Sequence, residues 1–280
     1  MPQPELQSLH SALYSEDPTT RIRALKQIKK GSFESLAESV VENLSHESPE
    51  VQATAAFALR LGYVPTGLAP LQAALHSEVL AVKVAAIFTL GEWLSHEALP
   101  QLMDLLEDTA AVVRSRVADA LKKMARETAV PALYSALEKE ENLKVALRLS
   151  DALLSLADTR VIPVLTAALA YDDDEIRARA VEILVSFPHI ETIASVLTLL
   201  EEGEQSARAA AVYVLGKIGG LNPDLLRTAL QNPVRAVRSG VAKALGELGA
   251  AAGEDTWQDL VNCLDDGDHR VRLRAAQALG

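Results

Sequence analysis

Aromatic residues make up only 4% of this 280-residue chain, and cysteine occurs once, at Cys263. A single thiol builds neither a disulfide framework nor a multi-cysteine metal site. No apolar run approaches the roughly 18–20 residues of a membrane span. The opening residues, Met1-Pro2-Gln3-Pro4-Glu5, lack the basic region and apolar stretch of a signal peptide, which points to a cytoplasmic protein. No glycine-rich phosphate loop is present, and Gly219-Gly220 reads as a turn. Positive charge is also short: 27 Lys+Arg against 38 Asp+Glu leave −11. A nucleic-acid backbone calls for a basic surface, so nucleic acid is disfavoured. Ala, Leu and Val are plentiful instead, and hydrophobic residues reach 49%. That is too much for disorder. A single core stops growing at about 250–300 residues, yet no linker or composition break divides the chain.

A repeat of roughly 31 residues removes the conflict. The phrase Val113-Arg114-Ser115-Arg116-Val117-Ala118-Asp119-Ala120-Leu121 returns as Val237-Arg238-Ser239-Gly240-Val241-Ala242-Lys243-Ala244-Leu245, and again from Val271. Copies start at positions 20, 51, 82, 113, 145, 176, 207, 237 and 271. Their first, fifth, sixth, eighth and ninth positions are apolar and share one helical face. The ninth is Ile28, Leu59, Leu90, Leu121, Leu153, Leu184, Leu215, Leu245 or Leu279. Small residues at the fifth and sixth, such as Ala55-Ala56 and Ala275-Ala276, let helix axes approach to about 8 Å. A second apolar helix lies between copies, at Leu99-Pro100-Gln101-Leu102, Val130-Pro131 and Ile162-Pro163, with its proline in the first turn. Asp17-Pro18, Ser48-Pro49 and Asn222-Pro223 read as an N-cap followed by an N1 proline. Gly31, Gly62, Gly219 and Gly249 are expected as left-handed C-caps. Residues 246–254 read as a lengthened loop before Trp257. No segment alternates as a strand would. The expectation is one solenoid over residues 1–280, of nine helical hairpins. The last is incomplete, because the pattern breaks off at Gly280 without a polar cap.

The consensus Val-Arg-x-x-Ala-Ala-x-Ala-Leu-Gly resembles the second helix of a HEAT repeat. It is most similar to the short, alanine-rich phycobilisome-lyase HEAT-like subtype. The resemblance covers nearly the whole chain. It implies an all-α, right-handed α-α superhelix whose second helices line the concave face. It also implies arginines at the second motif position, tied to acids in the turns. Here that position holds Arg21, Arg114, Arg177, Arg208, Arg238 and Arg272, with Lys83; Gln52 and Ala146 depart from it. Acids three residues before the motif are Asp17, Asp173, Glu204 and Asp268. A planar guanidinium can bond two turns and join adjacent repeats.

Motif positions four and seven should face outward. They carry three pairs at i,i+3 spacing: Arg116 with Asp119, Arg148 with Asp151, and Arg179 with Glu182. Phe57, Phe88 and Tyr213 occupy position seven on either side of that charged stretch. Exposed rings beside arginines match the make-up of protein interface anchors. The plainer reading is a solvated face whose pairs contribute about 0.2–0.5 kcal/mol each. Trp93 and Trp257 fall on apolar phases and read as core.

Di-iron hydroxylases built on HEAT-like repeats carry His-Glu pairs inside the second helix. His46-Glu47 and His96-Glu97 sit outside the motif, and His10, His76, His189 and His269 scatter over different repeats, so no metal is expected. Cys263 has no identifiable base and reads as a small buried hydrophobe. The sequence therefore describes a non-enzymatic, cofactor-free scaffold that binds a protein partner in its groove. With the chain at −11, steering favours a partner with a basic patch. The alternative, from the subtype, is a lyase-like subunit handling bilins on phycobiliproteins. The aromatic-rich early helix of such lyases is replaced here by Arg21-Ile22-Arg23-Ala24-Leu25-Lys26-Gln27-Ile28.

Overall fold

A computed structural model describes residues 3–221, 223–248 and 255–280, and these residues form helices and turns without strands. Asn222, Gly249 and most of the loop 246–254 lie outside them. The chain forms two compact units, Met1–Leu156 and Ala157–Gly280. The first holds α1 (Gln3–Ala12), α2 (Pro18–Gln27), α3 (Lys30–Glu42), α4 (Pro49–Ala58), α5 (Leu68–Ala74), α6 (Leu80–Glu92), α7 (Leu99–Asp104), α8 (Ala111–Met124), α9 (Val130–Lys139) and α10 (Leu143–Ser155). The second holds α11 (Ile162–Ala168), α12 (Asp174–Ser186), α13 (Ile190–Glu202), α14 (Gln205–Leu221), α15 (Pro223–Leu230), α16 (Arg235–Leu248), α17 (Asp255–Asn262) and α18 (His269–Leu279). Odd and even helices pair as nine hairpins among the described residues. Every even helix opens two residues before a motif copy, so the repeat phase sets the helix start. No described helix is long and apolar enough to cross a membrane.

The ninth motif position is the centre of the core. Ile28 and the leucines from Leu59 to Leu245 are buried, while Leu279 is half-buried. Within the first unit α4 packs on α6, α6 on α8, and α8 on α10; in the second, α16 packs on α18. The tightest approaches join the tenth position of one copy to the eighth of the next. A methyl group at Gly91 would lie 2.8 Å from the Ala120 Cβ, and one at Gly246 would lie 2.6 Å from the Ala278 Cβ. The Gly that closes the motif is therefore a packing residue. It lets α6 meet α8, and α16 meet α18, nearly backbone to backbone.

Capping follows the sequence at several helix starts. Asp17 accepts from the Thr19 and Thr20 amides ahead of Pro18, whereas Ser48 holds the N-cap position before Pro49 at the start of α4 without a side-chain capping bond. The first helices α7, α9 and α11 each follow a 3-10 turn, with Pro100, Pro131 and Pro163 in their opening residues. The C-caps differ from expectation. Gly31 lies inside α3, and Gly62 is extended at φ −174°. Left-handed backbone falls instead on Leu94 (φ 53°), Ala125 (φ 49°) and Ala157 (φ 60°). These three occupy the same motif place, twelve residues after the copies at 82, 113 and 145. At Leu94 the turn closes because the Ser95 amide bonds the Leu90 carbonyl at 3.1 Å, and at Ala125 because its own amide bonds Leu121 at 3.0 Å. Each side chain there crowds its own backbone, at a cost of about 1 kcal/mol. Ala125→Gly, at an exposed site, is expected to leave the unfolding free energy level or slightly raised, because relief of the left-handed strain offsets the chain entropy that glycine adds to the unfolded state. Chemical denaturation measures this, and a loss of stability would refute the strain.

Candidate functional site

The arginines of the second motif position form joints between turns. Five of them take the carbonyl six residues before: Arg21 Nε donates to Ser15 O, Arg114 Nη1 to Asp108 O at 2.8 Å, Arg177 Nη1 to Tyr171 O, Arg238 Nη1 to Asn232 O and Arg272 Nη1 to Asp266 O. Several then reach an acid one repeat onward. Arg114 grips Glu140 through Nε and Nη2 at 2.7 and 2.8 Å, and Arg238 grips Asp266 at 2.8 and 2.9 Å. Lys83 meets Asp108 at 2.7 Å, and Arg21 meets Asn43. The acids of these joints lie five residues before the next copy, where three were expected. Asp17, Asp173 and Asp268 cap helices through backbone amides instead. The joint acids also take an amide two residues on: Asp108 from Ala110, Glu140 from Asn142 and Asp266 from Asp268. A cleft of about 540 Å³ beside Asp108, Arg114 and Glu140 is thus built from a structural joint.

The outward positions of the first unit form a stripe across α4, α6, α8 and α10. Phe57 and Phe88 stack with centroids 5.3 Å apart, and Phe57 is 44% exposed. The Arg60 guanidinium lies 4.1 Å above the Phe57 ring. Beyond the rings, Asp119 is bound by Arg116 at 3.7 Å and by Arg148 at 2.8 Å. Arg148 and Asp151 both reach across to α8, the latter to Lys122 at 2.8 Å. Asp151 was expected in solvent but is only 5% exposed, because α8 brings Lys122 over it. Lys123 meets Glu92 at 2.5 Å. A small cleft of about 120 Å³ opens between Phe88, Glu92, Arg116 and Lys123. Arg60, Glu92, Lys122 and Lys123 stand at motif positions ten and eleven. Their signal was available: those positions follow the seventh by one helical turn.

In the second unit Arg179 pairs with Glu182 at 2.6 Å, as the i,i+3 spacing predicts. Tyr213 is 55% exposed, with Lys217 Nζ 5.3 Å from its ring. It borders a cleft of about 660 Å³ between α12 and α14, whose apolar wall includes Val181, Val185 and Ala210. That volume suits an apolar side chain or a short peptide segment.

The remaining candidates resolve individually. Among the described residues no group of three His, Cys, Asp or Glu is placed to hold a metal ion. His46 accepts from the Ser48 amide, His96 lies against Arg126, and His189 against Glu191. Cys263 is buried, and burial first, then Asp266 and Asp259, pushes its thiol pKa up, away from nucleophilic thiolate. Trp93 is half-buried and donates from its indole to Leu59 O at 2.9 Å. Trp257 departs from the core reading at 47% exposed.

Kap95p offers the comparison with the highest TM-score of those described. A chain of its complex with RanGDP aligns with a TM-score of 0.56 and 17% identity, over 98% of this chain and 43% of that one. This chain thus spans less than half of that structure. An engineered protein aligns at 0.48 and 20% identity, over 98% of this chain and 87% of that one. Human deoxyhypusine hydroxylase aligns at 0.41 and 23% identity, over 88% and 95%. No curated protein matches by sequence. The family model for HEAT repeats matches residues 68–154 and 193–280. These spans run through second helices with the joints and close contacts described above, and the chain belongs to the HEAT repeats.

Proposed function

We propose that the chain is a non-enzymatic, cofactor-free scaffold of the cytoplasm that docks a protein partner on the face of its second helices. HEAT-repeat solenoids are generally protein-interaction scaffolds, and Kap95p binds RanGDP. The observation that carries the reading is the open Phe57–Phe88 stack under Arg60. Aromatic and arginine side chains in that arrangement are the usual anchors of protein interfaces. Tyr213 above its cleft supplies a similar feature in the second unit. The bilin-handling alternative is not favoured. Its propionate-binding arginines would be Arg116, Arg148 and Arg179, and each already holds a carboxylate.

The test is co-purification from the source cells, quantified by mass spectrometry, with wild-type chain and Phe57→Ser/Phe88→Ser as baits. The double variant is expected to lose the reproducible partner at least tenfold, at an unchanged circular dichroism spectrum. Equal capture by both baits would sink the proposal.

A further inference from the structure

Resting on that docking face, we infer that its first-unit part takes an acidic peptide segment that also carries an apolar or aromatic side chain. The net charge of −11 points the other way, but the charge is not evenly spread. At motif positions four, seven, ten and eleven, the copies that begin at 20, 51, 82, 113 and 145 carry nine bases and three acids. The acids are Glu92, Asp119 and Asp151, and each is already held by a lysine or arginine. Arg23, Lys26 and Arg60 have no carboxylate partner among the described residues. Arg23 and Lys26 are exposed on α2, and Arg60 is exposed on the turn after α4.

Arg60 lies over the Phe57 ring, and α2, which carries Arg23 and Lys26, packs on α4. Lys26 holds on α2 the motif place that Phe57 holds on α4 and Phe88 on α6. The occupants on α4 and α6 are in contact, with their rings 5.3 Å apart. At physiological salt the Debye length is about 8 Å. A docking segment therefore senses this face and little of the acidic remainder. Carboxylates of the segment meet free ammonium and guanidinium groups, and its apolar side chain meets the rings and the cleft beside Phe88.

A polynucleotide fits less well. A long phosphate track running toward α10 would leave the free cations and pass over Asp119 and Glu92.

Fluorescence anisotropy on the full chain tests the inference with three labelled probes. One is a peptide of about twelve residues, built from Glu, Asp, Leu and one Phe. The second has Lys and Arg in place of its acids. The third is an oligothymidine of similar length. The acidic probe is expected to bind with the highest affinity and to weaken about tenfold in Arg23→Glu/Lys26→Glu and in Phe57→Ser, with circular dichroism unchanged. No binding of the acidic probe at about 1 mM overturns the inference. So does unchanged affinity in either variant, or tighter binding of the basic probe or the oligonucleotide. Basic-probe binding that is lost in Phe57→Ser/Phe88→Ser would overturn the acidic assignment and leave the docking face standing. Equal partner capture in the co-purification test would remove the face itself.

Discussion

Glu140→Ala is expected to lower the unfolding free energy by about 3 kcal/mol, toward the lower end for breaking a buried ion pair. Glu140 is 4% exposed and Arg114 19%. The substitution strands the guanidinium in a joint that also holds two carbonyls of the preceding turn. It removes the acceptor for the Asn142 amide as well. In a chain of this size the melting temperature should fall by about 6–12 °C. The same joint sets an acid limit. The Arg114 guanidinium first, helped by the Asn142 amide against burial, holds the Glu140 carboxyl below its usual range. Arg238 does the same to Asp266. Burial pushes Asp108 up, but Lys83 and the Ala110 amide outweigh it, so it too is lowered. A carboxylate depressed in the folded state contributes fully above its unfolded pKa, near about 4. The contribution is lost as pH falls through the folded value. Thermal stability should stay level from about pH 7 to 5 with respect to these groups and drop below about 4. Glu140→Gln should flatten part of that drop. A variant that melts with the wild type, at an unchanged acid slope, would show that the joint is idle.

Gly91→Leu is expected to cost about 3 kcal/mol, the upper part of the usual range for overpacking. Even a methyl group at Gly91 would meet the Ala120 Cβ at 2.8 Å and its Cα at 3.1 Å. A leucine has to force α6 and α8 apart or distort one of them. Gly31 is the internal control, since a methyl there meets nothing within 4 Å. Gly31→Ala, in the first turn of α3, should stabilise by about 0.5–1 kcal/mol through chain entropy alone. Urea unfolding of both variants separates the two cases. Losses of equal size at the two glycines would contradict the close helix contact.

The repeat made most of the architecture legible. Apolar spacing located the even helices, because a 3.6-residue period puts Val113, Val117 and Leu121 of α8 on one buried face. The HEAT resemblance suggested that arginines tie the turns together, and a side chain of that length does reach the next one. Finer details were hidden for physical reasons. An Asp three residues before the motif cannot be told by type from one five before it. One caps amides and the other anchors a guanidinium, and the difference lies in backbone direction. Left-handed backbone at Ala125 and Ala157 carries no composition signal, since alanine abounds in every phase. Of the outward side chains, Phe57 and Tyr213 were readable from phase alone, whereas Phe88 is half-buried against Phe57. The burial of Asp151 was not, because it depends on Lys122 of the neighbouring helix.

The pairing of the tenth position in one copy with the eighth in the next recurs in both units, at α6–α8 and at α16–α18. Gly91 receives Ala120, and Gly246 receives Ala278, through equivalent surfaces. A hairpin inserted in phase after α6 would therefore fit if it offers a small residue at its eighth position and a glycine at its tenth. Such a chain can lengthen by whole units without inventing a new interface. It cannot lengthen by half of one, because a single added helix would present its odd surface to an even one. The spacing of the copies preserves a modular coupling, much as a standard thread lets any two pipes be joined.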